Sequence, residues 1–318
     1  MKLALVFPGQ GSQKPGMGKQ LATDFAAARR VFEEVDDALS DRLSRVIFDG
    51  TASDLVRTDV AQPALMAVSM AVLAVLREAG LDPARDALFV AGHSLGEYTA
   101  LAAAGALSLA DAARTLRARG LAMQKAAPGD AGAMTAVLGI DDIAKIEELA
   151  RRASAASGKV CGIANDNAPG QVVLSGHTLA IEQAEALAKE MGAKRAIRLE
   201  VAAAFHSPLM APAAKEMERV LAAVAFEPPR PAIFANVTAA PVRDSDKIAA
   251  LLVQQITGRV RWRESVAAMA AAGVDTQVEV GSGKVLTGLA KRIAPDMKTF
   301  AVETAADIEV FDKARKAR

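Results

Sequence analysis

The chain has 318 residues, 52% of them hydrophobic, and its 38 lysines and arginines are nearly balanced by 37 acidic residues, which leaves a net charge of +1. This composition supplies a sizeable core and argues against a nucleic-acid-binding protein, which would carry a basic surface. Only one cysteine is present, Cys161, so no internal disulfide can form and a cytoplasmic location is expected.

No segment of the sequence predicts export or a membrane span. The apolar run at the amino terminus is five residues long and ends at Pro8, which is too short for a signal peptide. The longest apolar stretch, residues 63–76, is shorter than a membrane-spanning helix and is expected to be a buried helix. The three histidines and one cysteine are scattered and form no recognisable ligand set, so no metal site is expected.

The first 125 residues alternate predicted strands with predicted helices. Short apolar runs predict strands at residues 3–7 and 87–91. Apolar residues at helical spacing and good helix formers predict helices at residues 20–39, 62–78, 98–106 and 109–125. Alternation of this kind is typical of a parallel sheet with helices on both faces.

The middle of the chain follows a different pattern. Strands are predicted at residues 133–138, 160–164, 171–175 and 194–201, helices at 141–155 and 178–191, and a turn at 165–170. This order is the ferredoxin-like βαββαβ motif, and it predicts a small domain inserted at residues 131–200.

The parallel pattern then returns, so the large domain is expected to combine residues 1–130 and 201–318. Its further strands are predicted at residues 231–237, 276–280 and 298–302. The charged tail after Phe311 is expected to fray.

Gly92, Ser94 and Gly96 form a Gly-x-Ser-x-Gly motif between a predicted strand and a predicted helix. This context is typical of a nucleophile elbow, in which a tight turn exposes the serine hydroxyl group. The unpaired N–H groups at the start of the helix can hold an oxyanion there. A simple glycine-serine turn without chemistry is the alternative, and the flanking strand and helix favour catalysis.

A nucleophilic serine needs a base, and the chain offers three histidines. His93 is expected to be structural, because neighbouring residues of an elbow point in different directions. His177 is expected on a surface turn that opens a helix of the small domain. His206 lies where the small domain rejoins the large one, a common place for a cleft. It is therefore the candidate base, and a loop histidine without a role is the alternative.

Arg119 lies on the apolar face of the predicted helix 109–125, in line with Leu116 and Met123. A buried guanidinium is costly unless an anion pairs with it. That anion is either an internal carboxylate or the carboxylate of a ligand, and the sequence leaves both open.

Two glycine-rich segments resemble nucleotide-binding motifs but lack essential residues. Gly9-Gln10-Gly11 is followed by Lys14 where a dinucleotide fingerprint has its third glycine. The segment 281–284 is preceded by Val278 in place of the first glycine of a phosphate loop and followed by Val285 in place of a hydroxyl residue. Neither segment predicts a nucleotide site.

Four motifs, at residues 7–13, 92–98, 205–208 and 279–286, together with the segment 165–176, stand in the order and spacing of one known family. From residue 3 to about residue 303 the chain resembles the malonyl-CoA:acyl carrier protein transacylases, an acyltransferase family of fatty-acid and polyketide synthesis. The resemblance implies an α/β fold, with an α/β-hydrolase-like core on a parallel sheet and an inserted ferredoxin-like domain.

The resemblance also implies an activity and the residues that perform it. A malonyl group passes from CoA to the phosphopantetheine thiol of acyl carrier protein through an acyl-serine, in ping-pong fashion. Ser94 matches the acylated serine and His206 its general base, while the main-chain carbonyl of Gln255 orients the histidine in place of a triad aspartate. Arg119 matches the arginine that binds the malonyl carboxylate.

The backbone N–H groups of Gln10 and Leu95 match the oxyanion hole of the family. Phe205 resembles the malonyl-type members, since methylmalonyl-type relatives often carry a serine at this position. No permanently bound cofactor is implied; malonyl-CoA is the substrate and the phosphopantetheine arm of the carrier is the acceptor.

Acyl carrier protein is the expected partner, and its acidic character predicts a basic rim near the cleft. The candidates for this rim are Lys284, Lys291 and Arg292, and solvated helix charges are the alternative interpretation. A monomer is compatible with the sequence, which does not specify an oligomeric state.

Three other functions compete with this one. A malonyl loader for a malonate decarboxylase or a polyketide synthase uses the same chemistry, and the motifs do not separate it. A serine thioesterase or esterase belongs to a different class, but more than a hundred residues follow His206, whereas such hydrolases usually place their histidine late. A catalytically silent scaffold is disfavoured by the presence of Ser94, His206 and Arg119 together.

Overall fold

The computed structural model describes residues 1–126, 132–201 and 203–317. The strands in these residues are β1 (Leu3–Phe7), β2 (Ala87–Gly92), β3 (Gly132–Leu138), β4 (Cys161–Ala168), β5 (Gln171–His177), β6 (Arg195–Arg198), β7 (Ala232–Ala235), β8 (Ala240–Val242), β9 (Thr276–Val280) and β10 (Lys298–Val302). The helices are α1 (Lys19–Asp24), α2 (Ala26–Leu39), α3 (Leu43–Asp49), α4 (Ala52–Val56), α5 (Thr58–Glu78), α6 (Pro83–Asp86), α7 (Gly96–Ala103), α8 (Leu109–Ala126), α9 (Ile143–Ser157), α10 (Thr178–Glu190), α11 (Ala211–Leu221), α12 (Ile248–Thr257), α13 (Trp262–Ala271), α14 (Val285–Ile293) and α15 (Ala305–Lys316).

A mostly parallel sheet forms the larger layer. Its strand order is β10-β9-β1-β2-β7-β8, and only β8, at one edge, runs antiparallel to its neighbour. Strand β1 lies near the centre and is buried along its whole length, which explains its uninterrupted apolar sequence. Its register places Leu5 beside Val90 of β2 on one side and beside Val278 of β9 on the other.

A separate antiparallel sheet is formed by residues 132–198. Its strand order is β4-β5-β3-β6, and α9 and α10 pack against each other and supply its hydrophobic cluster. The connectivity is that of the predicted ferredoxin-like βαββαβ unit. The α/β fold class predicted from the sequence, with a parallel core sheet and a second small antiparallel unit, is therefore confirmed.

Several local predictions differ from the structure, and the strand predicted at 194–201 is only the four residues Arg195–Arg198. The helix predicted at 20–39 is two helices, because Phe25 adopts an extended conformation between α1 and α2. The segment predicted as a turn at 165–170 is mostly strand, since β4 continues to Ala168 with two register shifts and only Pro169 and Gly170 turn the chain. The tail after Phe311 is the last part of α15, a helix whose first turn is capped by Thr304 and Asp307, and Phe311 itself is fully buried.

Helix α5 is longer than the apolar stretch that predicted it. It has 21 residues and a mean hydropathy of 1.8, so by length and composition alone it is able to cross a membrane, contrary to the expectation from residues 63–76. However, 94% of its apolar window is buried inside the protein, where it packs against α2 and α8. Many of its residues belong to one large hydrophobic cluster, which agrees with the predicted buried helix.

Candidate active site

Ser94 lies in a tight turn between β2 and α7. Its φ angle is 53°, in the left-handed region that non-glycine residues rarely adopt. A Cβ atom on Gly92 would lie 1.8 Å from the carbonyl oxygen of Gly96, and one on Gly96 would lie 2.3 Å from the carbonyl oxygen of Phe7. Neither position can carry a side chain, so the spacing of the two glycines is a steric requirement of the turn that exposes the serine.

His206 faces Ser94 from a loop that follows the antiparallel sheet. Its Nε2 atom is 2.8 Å from the hydroxyl oxygen of Ser94, and its Nδ1 atom is 2.8 Å from the main-chain carbonyl oxygen of Gln255. A carbonyl oxygen only accepts, so Nδ1 carries the proton and Nε2 is free to accept the proton of Ser94. This is the geometry of an activated nucleophile whose base is oriented by a third group.

Arg119 projects from α8 toward the same hydroxyl group and is 1% exposed. It donates from Nη1 to the side-chain oxygen of Gln62 at 2.8 Å, and from Nη2 to that of Gln255 at 2.9 Å and to the hydroxyl oxygen of Ser94 at 3.1 Å. Its guanidinium lies over the ring of Tyr98, 5.7 Å from the centroid. Within the described residues it forms no salt bridge, and its Nε–H group is buried without an acceptor.

The sequence did not single out two polar residues behind the turn. Asn236, just after β7, accepts from the backbone N–H of Ser94 at 2.8 Å and donates from Nδ2 to the carbonyl oxygen of Gly92 at 2.7 Å. Glu97, near the start of α7, accepts from the side-chain amide of Gln255 at 2.7 Å. A carboxylate one residue after the second elbow glycine was the signal available for Glu97, whereas nothing in the sequence pointed to Asn236.

A cavity of about 430 Å³ opens above Ser94. Gln10 and Leu95 line it from the side of the large sheet, whereas Met134 and Asn165 line it from β3 and β4 of the antiparallel sheet. Leu95 directly precedes the first residue of α7, where helix N–H groups lack an intrahelical acceptor. Phe205 also lines the cavity, beside His206.

Burial shifts the pKa values of His206, which contacts the Ser94 hydroxyl, and of Glu97, which lies behind the turn. Burial and the adjacent Arg119 guanidinium lower the pKa of His206 to about 3, against the opposing effect of the Gln255 carbonyl. Burial raises the pKa of Glu97 to about 7, although hydrogen bonds from Gln255 and Asn236 and the charge of Arg119 oppose this rise. At neutral pH the histidine is therefore a neutral base.

The other two histidines have hydrogen-bond partners other than the Ser94 hydroxyl group. His93 forms a hydrogen bond from its Nε2 atom to the side-chain oxygen of Asn167 on β4 at 2.8 Å, and its ring lies 5.6 Å from that of Trp262. His177 precedes α10 and accepts from the backbone N–H of Val160 at 3.2 Å. His93 therefore links the nucleophile turn to the antiparallel sheet.

The glycine-rich segment 281–284 supports the loop that carries Gln10. Ser282 donates to the carbonyl oxygen of Ser12 at 2.9 Å. At the start of α14, where a phosphate loop would hold its anion, the backbone N–H groups of Leu286 and Thr287 donate to the buried carboxylate of Glu279 at 3.0 and 2.7 Å. The protein's own carboxylate thus occupies the place that the phosphate would take.

The three basic residues proposed for the rim have different environments. Lys284 lies at the start of α14, while Lys291 and Arg292 lie in its last turn. Arg292 donates to the carbonyl oxygen of Pro169 and to the side-chain oxygen of Gln171 at 2.9 Å, so it joins α14 to the β4–β5 turn.

Comparison with known proteins agrees with this geometry. A family model described as an acyl transferase domain matches residues 4–306. The malonyl CoA-acyl carrier protein transacylase of Bacillus subtilis (strain 168) is 45% identical over 309 residues, which cover 97% of this chain and 96% of the relative. The chain belongs to the acyl transferase family. The resemblance inferred from the sequence motifs is thereby confirmed.

Two solved structures share the whole fold. The acyl-carrier-protein-S-malonyltransferase from Bartonella henselae has a TM-score of 0.95 at 52% identity, with 99% of each chain covered. A malonyl-transacylase in complex with a type II polyketide synthase acyl-carrier protein has a TM-score of 0.94 at 37% identity, with 99% of this chain and 100% of that chain covered.

The elbow glycines lead to a first prediction. Gly92→Ala places a methyl group against the Gly96 backbone and is expected to lower the free energy of unfolding by about 3 kcal/mol or more. Gly288→Ala is the matched control, because its Cβ meets open space within α14, and it should raise stability by about 0.5–1 kcal/mol. Denaturant unfolding measures both; equal midpoints for the two variants would contradict the steric argument.

The neutral state of His206 gives a second prediction. Because burial and Arg119 hold its pKa near 3, its ring nitrogens should show no titration between pH 8 and pH 5. Nitrogen NMR of protein labelled in histidine measures this directly, with His206→Gln used to assign the signals. A midpoint between pH 6 and pH 7 for His206 would show that the ring is not desolvated as described.

Proposed function

We propose that this protein transfers a malonyl group from malonyl-CoA to the phosphopantetheine thiol of an acyl carrier protein through an ester on Ser94. The observation that carries the proposal is the buried Arg119 guanidinium, which donates to the nucleophile itself and forms no salt bridge with any described residue. A cation in this position is suited to an acyl group that bears its own carboxylate. The activity in the names of the related proteins supports the same conclusion.

The first half-reaction uses the paired Ser94 and His206. His206 Nε2 takes the hydroxyl proton as the serine oxygen attacks the thioester carbonyl carbon. Backbone N–H groups of Gln10 and Leu95 stabilise the negative oxygen of the tetrahedral intermediate. The carbon–sulfur bond then breaks, and the CoA sulfur leaves with the proton returned by His206.

The second half-reaction runs the same steps with a different thiol. His206 takes the proton of the phosphopantetheine thiol, whose sulfur attacks the ester carbonyl carbon. The bond between this carbon and the Ser94 oxygen breaks, and the serine recovers its proton from His206. The carbonyl oxygen of Gln255 keeps Nδ1 protonated throughout, so the ring uses the same nitrogen in both directions.

Arg119 supplies selectivity for a carboxylated acyl group. Its Nε and Nη2 atoms lie on the same edge of the guanidinium; Nε–H is unpaired, and Nη2 contacts the serine hydroxyl. Nη2 also donates to Gln255, so a malonyl carboxylate that replaces the serine contact can accept from Nε and Nη2 in a bidentate pair. A charged hydrogen bond of this kind contributes about 1.5–3 kcal/mol, and a neutral acetyl group would leave the buried donor unpaired.

Two alternatives use the same nucleophile. A thioesterase would pass the acyl group to water, but the buried Arg119 has no purpose in a generic esterase. A loader for a polyketide synthase or a malonate decarboxylase differs only in its carrier, and one solved relative is bound to a polyketide carrier. An assay that supplies malonyl-CoA with a phosphopantetheinylated carrier and follows both transfer and hydrolysis separates the hydrolase from the transferases.

The proposed catalytic arrangement also implies a domain organisation and a setting. We place the large catalytic domain at residues 1–130 and 201–318 and the small domain at residues 131–200. The separate hydrophobic cluster of the antiparallel unit supports this division, and the cavity lined from both sheets is the site of acyl transfer. Malonyl-CoA is then the substrate, acyl carrier protein the partner, and the cytoplasm the location.

The acyl-serine is directly observable. Intact mass spectrometry after incubation with malonyl-CoA is expected to show one malonyl adduct on the wild type and none on Ser94→Ala. Ser53→Ala, which removes an exposed serine, is the matched control and should keep the adduct. A wild type that forms no adduct, or an adduct retained by Ser94→Ala, would exclude the proposed nucleophile.

The role of Arg119 is tested by a change in selectivity. Arg119→Ala is expected to reduce acylation by malonyl-CoA about 10- to 100-fold, the equivalent of one charged hydrogen-bonded pair, with a much smaller effect on acetyl-CoA. Arg114→Ala, on the exposed face of the same helix, should leave both rates unchanged. Equal losses for the two substrates in Arg119→Ala would refute the carboxylate role.

A further inference from the structure

Glu97 is a buried carboxylate that has no part in the mechanism described above. It is the second residue of α7, three residues after Ser94, and it is 3% exposed. A carboxylate in the first turn of a helix usually faces water, where the helix dipole already favours it. Burial of this charge is costly unless hydrogen bonds replace the lost water, so its contacts must explain its position.

The Glu97 carboxylate accepts hydrogen bonds from two donors, which belong to residues next to the reacting groups. The Oε2 atom of Glu97 accepts from Nε2 of Gln255 at 2.7 Å and from the backbone N–H of Asn236 at 3.1 Å. Gln255 and Asn236 are themselves 0% and 1% exposed. The carboxylate therefore joins α12 and the end of β7 to the helix that follows the nucleophile.

The contact with Gln255 determines which way its side-chain amide points. Its NH₂ group donates to Glu97 and, at 3.0 Å, to the carbonyl oxygen of Ser94, so its oxygen faces Nη2 of Arg119. An ionised carboxylate only accepts, so it requires the NH₂ group on its side. With the amide turned over, the NH₂ group would face the guanidinium, donor against donor.

Gln255 also contacts His206, through its main chain. The carbonyl oxygen of Gln255 accepts from Nδ1 of His206 at 2.8 Å, as described above. Gln255 thus contacts the base through its backbone and the cation through its side chain, and Glu97 is the anion that anchors its side chain.

We propose that Glu97 is a positioning residue for acyl transfer: its ionised carboxylate fixes the amide of Gln255, and through Gln255 it fixes both the guanidinium of Arg119 and the ring of His206. This inference rests on the proposed function, since it assigns a role within the same site. It differs from a purely structural role because it depends on the charge state of Glu97.

The charge state leads to a pH dependence with a definite sign. The charged and titratable groups that act on Glu97 are Arg119 from α8 and the adjacent Tyr98, while Gln255 and Asn236 are neutral. Burial raises the pKa of Glu97 to about 7, and the protonated acid can donate as well as accept. The ordered site is therefore present above pH 7 and is lost as the pH falls through 7. His206 does not contribute to this change, because its pKa is near 3.

The test compares two variants of the full-length protein. Glu97→Ala removes the acceptor and is expected to slow acylation of Ser94 roughly 10- to 100-fold, the usual cost of a small displacement of catalytic groups. The loss should extend to acetyl-CoA, unlike that of Arg119→Ala, because His206 is affected as well. Glu97→Gln is a neutral group that donates as well as accepts, like the protonated acid, so at pH 8 it should already show the lowered rate that the wild type reaches well below pH 7.

The decisive measurement is the rate of acyl-serine formation by rapid-quench mass spectrometry between pH 5.5 and pH 9. The rate of acyl-serine formation by the wild type should fall as the pH drops below 7, which is the acid limb of its pH profile. Glu97→Gln should lack this acid limb. Glu279→Gln is the matched control: it removes another buried carboxylate, one that caps α14, and it should lower thermal stability while keeping the acid limb.

Each outcome of this experiment decides one of the two proposals. Folded Glu97→Ala with a wild-type rate, or Glu97→Gln that retains the acid limb, would overturn the positioning role while leaving the acyl-serine intact. A wild type that forms no acyl-serine would instead remove the proposed function, and the role of Glu97 would fall with it.

Discussion

The charge of Arg119 is the constraint on which the site depends. A guanidinium that is 1% exposed has lost its water, and within the described residues no carboxylate touches it. Two amide oxygens and a serine hydroxyl group accept from it instead, and Glu97 balances its charge from beyond the amide of Gln255. In an interior of low dielectric such an indirect pair still interacts strongly. Because the anion is held one residue away, the Nε–H group of the guanidinium is left without an acceptor, and this free donor supports the proposal that the cation binds a second anion.

The reacting groups come from separate parts of the chain and are held in unusual backbone conformations. Ser94 and His206 both have positive φ angles, 53° and 57°, which for such residues stores strain that the surrounding structure must overcome. Around Ser94, the two glycines leave the necessary space and Asn236 hydrogen-bonds to the chain on either side of His93. Around His206, the Gln255 carbonyl provides the fixed acceptor. The site is therefore ordered by tertiary contacts between elements far apart in sequence.

This arrangement explains which features the sequence was able to predict. Apolar periodicity located most core strands, and the elbow glycines located Ser94, because both signals arise from neighbouring residues. The apolar face of α8 marked Arg119 as unusual, but only the family resemblance connected Gln255 with His206. Glu97 and Asn236 were missed because their contacts join segments more than a hundred residues apart, the turn around Ser94 with the end of β7 and with α12. The continuation of β4 through Asn165 and Asn167 was missed for a similar reason: pairing with β5 overrides the turn preference of asparagine.

The charge of Arg119 also bears on why His206 has a neutral carbonyl oxygen, and no carboxylate, as the partner of its Nδ1 atom. A triad carboxylate at Nδ1 would stabilise the imidazolium, but it would also place a second buried anion beside Arg119, the residue proposed to bind the carboxylate of the acyl group. The malonyl group would then enter against repulsion, and the extra anion would compete for the guanidinium. The carbonyl oxygen of Gln255 fixes the tautomer without adding charge, at the cost of leaving His206 a weaker base in the free protein. In the proposed function, the malonyl carboxylate would reduce this cost by offsetting the charge of Arg119, which is the largest electrostatic influence on the pKa of His206 after burial itself. A site that must admit a negatively charged acyl group therefore favours a carbonyl as the partner of its histidine.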